Sequence, residues 1–455
     1  MFACFSKDII MIIKNIEITD ITTDAVGVGH YEGKAIFIPK TVPGDVVNAR
    51  IEKSKPNLAY AKKTEYVTKS PDRCAPACKN FSKCGGCQLM HINYDAQLRI
   101  KKKFIYDALT RIGGVDNDIE IDMIGAESPI GYRNKMIFPV GENVCGFYEN
   151  KSHNIVPLED CSLGIIKSDK LIKTLLEFMN KYNVRAYDEK TGKGIVRRLF
   201  VRHGIHSGET MVVISANADS IPHEKELSDM ICSAENSIVS IIVNVNTKRT
   251  NLVLGEKNRV IYGKEVIKDT LCGYEYEISP HSFFQINPVQ TEKLYNRAID
   301  YADIKSDETV LDVYCGIGTI SMTASRKAKK VIGIEIVPVA IENAKKNAED
   351  NNVTNCSFLA GKAEELVPKL ISGNLKPDKV ILDPPRKGSD AETLSAICSA
   401  KPEKIVYVSC NPATLARDVK YLQENGYRVD KVTGVDMFPE TTHVESVVLM
   451  SKVEN

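Results

Sequence analysis

Three features are missing from this 455-residue sequence, and each absence excludes a class of protein. No apolar run reaches the ~18 residues that a membrane-spanning helix requires, so we expect no membrane segment. The opening, MFACFSKDIIMII, has neither a basic leading region nor an A-x-A-like cleavage site, which argues against a signal peptide. The net charge is only +1, so the chain lacks the overall positive charge that would by itself indicate a nucleic-acid-binding protein.

Cysteine, by contrast, is frequent, because the chain contains 13 of them. A long chain with an odd number of cysteines and no secretion signal is typical of a reducing compartment. We therefore expect a cytoplasmic protein that uses some of its cysteines for metal binding or catalysis rather than for disulfide bonds.

The apolar pattern changes twice along the chain, in agreement with the two to four domains that its length predicts. Residues 12–70 form short strands broken by tight turns, which predicts a small closed β-barrel, a fold that often binds nucleic acid. Residues 71–280 open with a cysteine-rich stretch and then mix helices and strands, which indicates a central α+β domain. Residues 281–455 alternate strand and helix, which predicts parallel βαβ units in a doubly wound α/β sheet.

Positive charge is concentrated locally. Residues 50–69 carry six basic and two acidic side chains, and smaller basic clusters occupy residues 99–103 and 193–202. Such clusters suit contact with the phosphates of RNA, although a solvated surface is the alternative interpretation of each one.

A candidate cofactor site follows two strands of the α/β region. The segment DVYCGIG, residues 312–318, closes the first strand with a G-x-G turn that lets a nucleotide-like ligand approach bare backbone. Glu335 ends the next strand, where a carboxylate suits the hydroxyls of a ribose. Ser321 replaces the third glycine of the dinucleotide pattern, which disfavours NAD and favours adenosylmethionine. Asp383 ends a later strand in the rigid turn D-P-P-R at the same edge.

A candidate nucleophile, Cys410, follows the apolar strand KIVYV in the motif S-C-N-P. A thiolate that attacks C6 of uracil turns C5 into a carbon able to accept a methyl group, and sulfur can later leave. The helix that opens near Pro412 is expected to lower the thiol pKa. A base must then remove the C5 proton, for which Glu445 is the first candidate and His443 the alternative.

These motifs occur together, in this order, in one family. With the segment SFFQINP at residues 282–288, the chain resembles the bacterial RNA (uracil-5-)-methyltransferases, specifically the 23S ribosomal RNA branch. The resemblance implies a Rossmann-like domain that uses S-adenosylmethionine. It implies that the cofactor is bound by Gln285, Tyr314, Glu335 and Asp383. It implies further that Cys410 is the nucleophile and that Glu445 removes the proton.

The resemblance also extends to the N-terminal region. The barrel is similar to a TRAM domain, an RNA-binding module of the OB type. The transfer-RNA branch of the family generally lacks both this barrel and the cysteine cluster, so the resemblance implies 23S ribosomal RNA as the partner. Phe283 and Phe284 are candidates to pack near a flipped base, with core packing as the alternative.

The cysteine cluster has two interpretations. By resemblance to the family, a [4Fe–4S] cluster is held by Cys78, Cys84, Cys87 and Cys161, which would make the central domain an iron–sulfur domain. From the residues alone, tetrahedral zinc is the rival, because Cys74 completes a local four-thiolate set with the first three; His91 is a further possible ligand.

Other functions stay open at this stage. They are a transfer-RNA uracil-5-methyltransferase, a 5-methylcytosine enzyme, an amino-group methyltransferase that needs no nucleophilic cysteine, and a non-enzymatic RNA-binding protein of ribosome assembly. For the favoured function we expect a monomer that acts on RNA and has no membrane partner.

Overall fold

The structure is a computed structural model that describes residues 11–159 and 161–453. Residues 1–10, which include Cys4 and most of the opening segment in which we expect no signal peptide, lie outside the described residues. In the described part, no helix is both long and apolar enough to cross a membrane.

The N-terminal region is a closed five-stranded barrel with the strand order β1-β2-β3-β5-β4. Its strands are β1 (Ile12–Ile21), β2 (Val26–Tyr31), β3 (Lys34–Pro39), β4 (Val46–Ser54) and β5 (Leu58–Thr68). Alternate side chains of these strands point inward and form a core of isoleucine, valine and alanine. The expected small barrel is therefore present, and its inward-facing set follows the period of two seen in the sequence.

A buried ion pair ties the barrel to the segment that follows it. Asp45 is fully buried and accepts hydrogen bonds from the guanidinium Nε of Arg73 at 2.7 Å and from the backbone amides of Val42 and Ser70 at 2.8 and 3.0 Å. Burial raises the pKa of Asp45, but these donors outweigh burial and hold its pKa below the ordinary value.

Two elements that follow the barrel pack on the C-terminal sheet. They are α1 (Tyr94–Arg111) and β6 (Ile121–Ile124). The side chains of Ile105, Leu109 and Ile121 belong to the core of the C-terminal sheet, and β6 pairs in parallel with the edge of that sheet. We had placed these residues in the central domain. The prediction differs because a four-residue strand carries no signal of which sheet edge it joins.

The central region is built on a seven-stranded mixed sheet with the order β13-β12-β11-β10-β7-β8-β9. Its elements are β7 (Lys135–Gly141), β8 (Val144–Tyr148), β9 (Ile155–Pro157), α2 (Asp169–Lys181), β10 (Val196–His203), β11 (Thr210–Ala216), α3 (Glu224–Ala234), β12 (Ile238–Val245) and β13 (Lys257–Gly263). A hairpin follows, formed by β14 (Ile267–Leu271) and β15 (Tyr274–Ile278). The hairpin shares one core with both the central sheet and the C-terminal region.

The C-terminal region is a doubly wound sheet with the order β18-β17-β16-β19-β20-β22-β21-β6. Its elements are α4 (Pro288–Ala302), β16 (Thr309–Val313), α5 (Thr319–Ser325), β17 (Lys330–Glu335), α6 (Pro338–Asp350), β18 (Cys356–Ala360), α7 (Ala363–Ser372), β19 (Lys379–Leu382), α8 (Ala391–Ala400), β20 (Lys404–Ser409), α9 (Pro412–Glu424), β21 (Tyr427–Val435) and β22 (Glu445–Lys452). Strands β16 to β20 are parallel, and β22 is inserted antiparallel between β20 and β21. The carboxyl ends of the parallel strands and the start of β22 therefore meet at one edge.

Candidate active site

A cleft of about 1150 Å³ opens at this edge of the C-terminal sheet. Its lining includes the turns after β16, β17, β19 and β20 together with residues 254–256 and 258 of the central region. Residues 282–286 of the segment SFFQINP also line it. All six residues that we expected to bind the cofactor or to carry out the reaction line this one cleft: Gln285, Tyr314, Glu335, Asp383, Cys410 and Glu445.

The turn after β16 is shaped to leave its backbone bare. Gly318 has φ +84°, and a Cβ there would lie 3.0 Å from the ring of Phe358, so only glycine fits. Glu335 is held beside this turn, because its carboxylate accepts hydrogen bonds from the amides of Gly316 at 3.3 Å and Val337 at 2.9 Å. These two hydrogen bonds fix the orientation of the carboxylate beside the turn.

Tyr314 and Gln285 flank the turn. Tyr314 has φ +73°, and its hydroxyl meets the Ser389 hydroxyl at 3.0 Å and the Asp390 carboxylate at 3.3 Å. The backbone carbonyl of Gln285 accepts a hydrogen bond from the amide side chain of Asn134 at 3.1 Å, and Gln285 lines the cleft.

Two carboxyl groups lie deep at the strand ends. Burial, with a smaller contribution from nearby Asp312, raises the pKa of Asp383 to about 7. Burial likewise raises the pKa of Asp312 to about 7, although its Oδ2 accepts a 2.5 Å hydrogen bond from Ser321. Its Oδ1 has no partner among the described residues. We quoted Asp312 in its motif without giving it a role; its position as the one acidic residue inside an apolar strand is the signal that was available.

The adjacent residues Phe283 and Phe284 have different environments. Phe284 is only 3% exposed and packs against Tyr276 with ring centres 6.0 Å apart, so core packing accounts for it. Phe283 is 68% exposed on the rim of the cleft and is free to contact a ligand.

Cys410 follows β20 and is half-buried in the cleft. Burial, together with the carboxyl groups of Glu445 and Asp383, raises the pKa of its thiol to about 11, while the Arg386 guanidinium opposes the increase. The thiol pKa, which we expected the following helix to lower, is therefore raised, with burial as the largest cause. The side chain of Asn411 caps that helix by accepting a hydrogen bond from Ala413 at 3.1 Å.

Glu445 is the first residue of β22 and is 5% exposed. Burial raises its pKa to about 8, Asp383 adds to the increase, and Arg386 opposes it. His443 lies two residues earlier, packs edge-on against Phe438 and keeps an exposed surface; partial desolvation by its neighbours lowers its pKa. Both alternative bases therefore line the cleft, but only Glu445 is buried.

A group of cations lies beside the segment SFFQINP. Lys135 and Arg202 are cross-strand partners in β7 and β10, and Arg202 donates hydrogen bonds to the carbonyls of Ser279 and Ser282 at 2.7 and 3.0 Å. Burial lowers the pKa of Lys135 to about 8, with a further contribution from Arg202 and Arg133. None of these three cations forms an ion pair with any residue in the described ranges. Arg202 is buried and its guanidinium already donates to two carbonyls, so only Arg133 and Lys135 are candidates to meet an anionic ligand.

The four cysteines that we assigned to a metal cluster come close together. Cys78, Cys87 and Cys161 pack against the same buried side chains, and the thiol of Cys84 lies near enough to raise the pKa of Cys87 and Cys161. Within residues 11–159 and 161–453, however, no three His, Cys, Asp or Glu side chains are arranged to hold a metal ion.

The residues of the rival zinc set are less close. Cys74 is exposed, and its thiol faces the carbonyl of Met90 at 3.6 Å instead of the other thiols. Both ring nitrogens of His91 are inaccessible and have no hydrogen-bond partner among the described residues. Burial and, secondarily, Arg73 lower the His91 pKa to about 4.

Known proteins share both the sequence and this architecture. The sequence pattern of the family described as tRNA (Uracil-5-)-methyltransferase matches residues 220–453, and that of the TRAM domain matches residues 13–64. Relatives from Clostridium tetani and Halalkalibacterium halodurans, each described as an uncharacterized RNA methyltransferase, are 45% and 43% identical over 96% of both chains.

The chain belongs to the (uracil-5-)-methyltransferase family of RNA-modifying enzymes. A solved structure agrees with this assignment. It is the Pyrococcus abyssi tRNA (uracil-54, C5)-methyltransferase in complex with S-adenosyl-L-homocysteine, 30% identical with a TM-score of 0.77, over 96% of this chain and 100% of that one. The expected family, methyltransferase fold and TRAM domain are thus confirmed.

The charge balance around Cys410 generates a prediction. Arg386→Gln removes the cation that lowers the pKa of this thiol, so we expect a smaller thiolate fraction and alkylation of Cys410 by iodoacetamide at pH 9 that is roughly two- to fivefold slower. The rate is measured by mass spectrometry of the peptide that contains residue 410. Lys387→Gln, the exposed neighbour, is the matched control and should leave the rate unchanged; equal rates in both variants would contradict the role of Arg386.

Proposed function

We propose that this enzyme transfers a methyl group from S-adenosyl-L-methionine to C5 of uridine in 23S ribosomal RNA. The observation that carries the proposal is the meeting of a thiol, a buried carboxyl group and a bare glycine turn in one cleft of a (uracil-5-)-methyltransferase. Nucleophile, base and nucleotide-binding turn are the three parts that this chemistry needs.

The cofactor would lie against the G-x-G turn. Glu335, fixed by two backbone amides, would accept hydrogen bonds from the ribose hydroxyls, and Tyr314 belongs to the same turn. Gln285 and Asp383 also line the cleft and would contact the methionine part. Adenosylmethionine supplies an electrophilic methyl group on a positively charged sulfur, and that charge offsets the acidic groups that raise the pKa of Cys410.

The reaction begins when the Cys410 thiolate adds to C6 of the uracil and the C5–C6 electron pair moves toward O4. C5 then takes the methyl group as its bond to the cofactor sulfur breaks. The Glu445 carboxylate removes the C5 proton, the C5–C6 double bond forms again, and the Cys410 sulfur leaves. Asp383 lies near both residues, and its charge disfavours their ionisation until the cationic cofactor is bound.

RNA approaches from the side of the barrel and the central region. The TRAM barrel and the cations Arg133 and Lys135, which form no ion pair among the described residues, offer positive charge to the phosphates. The exposed ring of Phe283 on the rim offers a stacking surface to a base that has left its helix, a step that costs roughly a few kcal/mol.

Transfer RNA is the second candidate substrate. The Pyrococcus abyssi enzyme acts on tRNA and matches this chain over 96% of its length, so a long chain of this shape is compatible with either RNA. The experiment that decides is methylation of 23S ribosomal RNA and of tRNA transcripts in vitro, with mass spectrometry of the nucleosides. We expect 5-methyluridine in the ribosomal RNA; 5-methyluridine in tRNA alone would support the second candidate, and no methylation would support a non-enzymatic RNA-binding role.

The two reactive residues act at opposite ends of the reaction, and two variants separate them. Cys410→Ala removes the nucleophile, so methylation should be lost while cofactor and RNA binding stay within about twofold. Glu445→Gln keeps the shape but removes the base, so the sulfur does not leave and a methylated covalent RNA–protein adduct should accumulate. Denaturing gel electrophoresis with radiolabelled cofactor, with and without RNase, detects the adduct.

Glu392→Gln, at an exposed position of α8, is the matched control and should behave as the wild type. Free methylated RNA at the wild-type rate from Glu445→Gln would remove Glu445 from the mechanism and make His443 the next candidate base.

The cysteine cluster supports a second element of the proposal. Cys78, Cys84, Cys87 and Cys161 would hold a [4Fe–4S] cluster, since they are the four thiols that affect one another, whereas Cys74 faces a backbone carbonyl. All-thiolate ligation suits iron–sulfur, with zinc as the alternative. The proposed reaction needs no electron transfer, so the role of the cluster is structural or RNA-shaping.

Anaerobically purified protein should be brown and contain about four irons per chain. Cys84→Ser should lose most of this iron, whereas Cys74→Ser, the matched control, should keep it. Elemental analysis and the visible absorption spectrum provide the measurement; stoichiometric zinc with no iron would overturn the assignment.

A further inference from the structure

Residues 436–444 form the connection that directly precedes Glu445, the candidate base. They lead from the end of β21 to Glu445, the first residue of β22, and include His443. This connection contacts the cleft on one side and, on the other, elements that lie more than 300 residues earlier in the chain.

The first of these contacts is a fully buried ion pair. The Lys101 ammonium on α1 lies 2.6 Å from the Asp436 carboxylate, and both side chains are 0% exposed. The same ammonium donates to the carbonyl of Phe438 at 3.0 Å, and the hydroxyl of Tyr94 donates to the other oxygen of Asp436 at 3.0 Å. We had counted Lys101 in a basic surface cluster, and the structure corrects that interpretation.

The second contact is a reciprocal pair of hydrogen bonds. The Gln97 amide donates to the Glu440 carboxyl group, and the Glu440 backbone amide donates to the Gln97 oxygen, both at 3.1 Å. Glu440 has φ +69°, a conformation that a residue other than glycine seldom adopts without support. Its carbonyl also accepts hydrogen bonds from the amides of Gln88 and Leu89 at 2.9 and 3.0 Å.

Stability alone is a poor explanation of a buried lysine at this place. Removing two charges from water costs about as much as their attraction returns, and well-packed apolar side chains often serve a core equally well. A directional pair, in contrast, fixes one geometry, because Lys101 reaches a side chain and a backbone carbonyl of the same connection. What the ion pair adds is therefore a fixed position of residues 436–444.

We propose that Lys101 and Gln97 of α1 are positioning residues that fix residues 436–444 and so hold the Glu445 carboxyl group where it can take the C5 proton. The proposal rests on the function assigned to Glu445 above. Neither residue lines the cleft, so they act through the connection and touch no reacting atom.

The test compares Lys101→Met with the double variant Lys101→Met/Asp436→Asn. The single variant leaves a buried carboxylate without its partner and is expected to lower the Tm. The double variant removes both charges together and keeps polar atoms for Tyr94 and for the amide of Phe438, so its Tm should return toward the wild-type value. Lys420→Met, at an exposed position of α9, is the matched control.

In the double variant we expect kcat to fall tenfold or more, while the KM for RNA and the affinity for S-adenosylmethionine change less than twofold. The fraction of protein trapped as the methylated RNA adduct should rise, because proton removal has become slow while attack and methyl transfer continue. Gln97→Ala should change the same fraction in the same direction.

Each other outcome overturns the proposal. Wild-type kcat and adduct fraction in the double variant would show that the pair is dispensable, and a fall in kcat without more adduct would show a general loss. A double variant that does not fold would make the pair purely structural. Glu445→Gln is measured alongside. If this variant traps no adduct, the assignment of Glu445 as the base is wrong. If it traps adduct and the double variant does not, only the positioning role of Lys101 and Gln97 is refuted.

Discussion

The burial of acidic groups side by side in the cleft is the constraint on which the rest of the site depends. Burial raises the pKa of Asp383, Glu445 and the Cys410 thiol, Asp383 further raises the pKa of the other two, and Glu445 further raises that of Cys410. The Arg386 guanidinium opposes this effect only in part. These shifts favour the protonated forms of the nucleophile and of the base in the free protein, and a cationic ligand in the cleft would favour their ionisation.

This arrangement explains why the site lies where two kinds of strand meet. The parallel strands bring their carboxyl ends to one edge, and the antiparallel β22 brings its amino end to the same edge. Asp383 and Cys410 thus come from the ends of β19 and β20, while Glu445 comes from the start of β22. A wholly parallel sheet would leave that start at the opposite edge.

Much of this could be predicted because strand ends and turns have local signals. The barrel, the wound sheet and the G-x-G turn follow from periodicity and glycine, and Cys410 and Asp383 follow apolar strands directly. The partners of α1 could not be predicted, since nothing in its sequence distinguishes Lys101, which is buried, from the exposed Lys102 beside it. The pKa of Cys410 was misjudged for a similar reason, because burial and the charge of Glu445 are set by distant parts of the chain.

The insertion of β22 between β20 and β21 has a consequence for the order of synthesis. On the ribosome β21 is made before β22, so until the last strand emerges the growing sheet has a gap with two unpaired edges. The strand that fills the gap also carries the carboxyl group that completes the site. A chain that stops before residue 445 therefore loses fold and chemistry together, and incomplete translation products should be removed by proteolysis instead of persisting as proteins that bind RNA and block its modification.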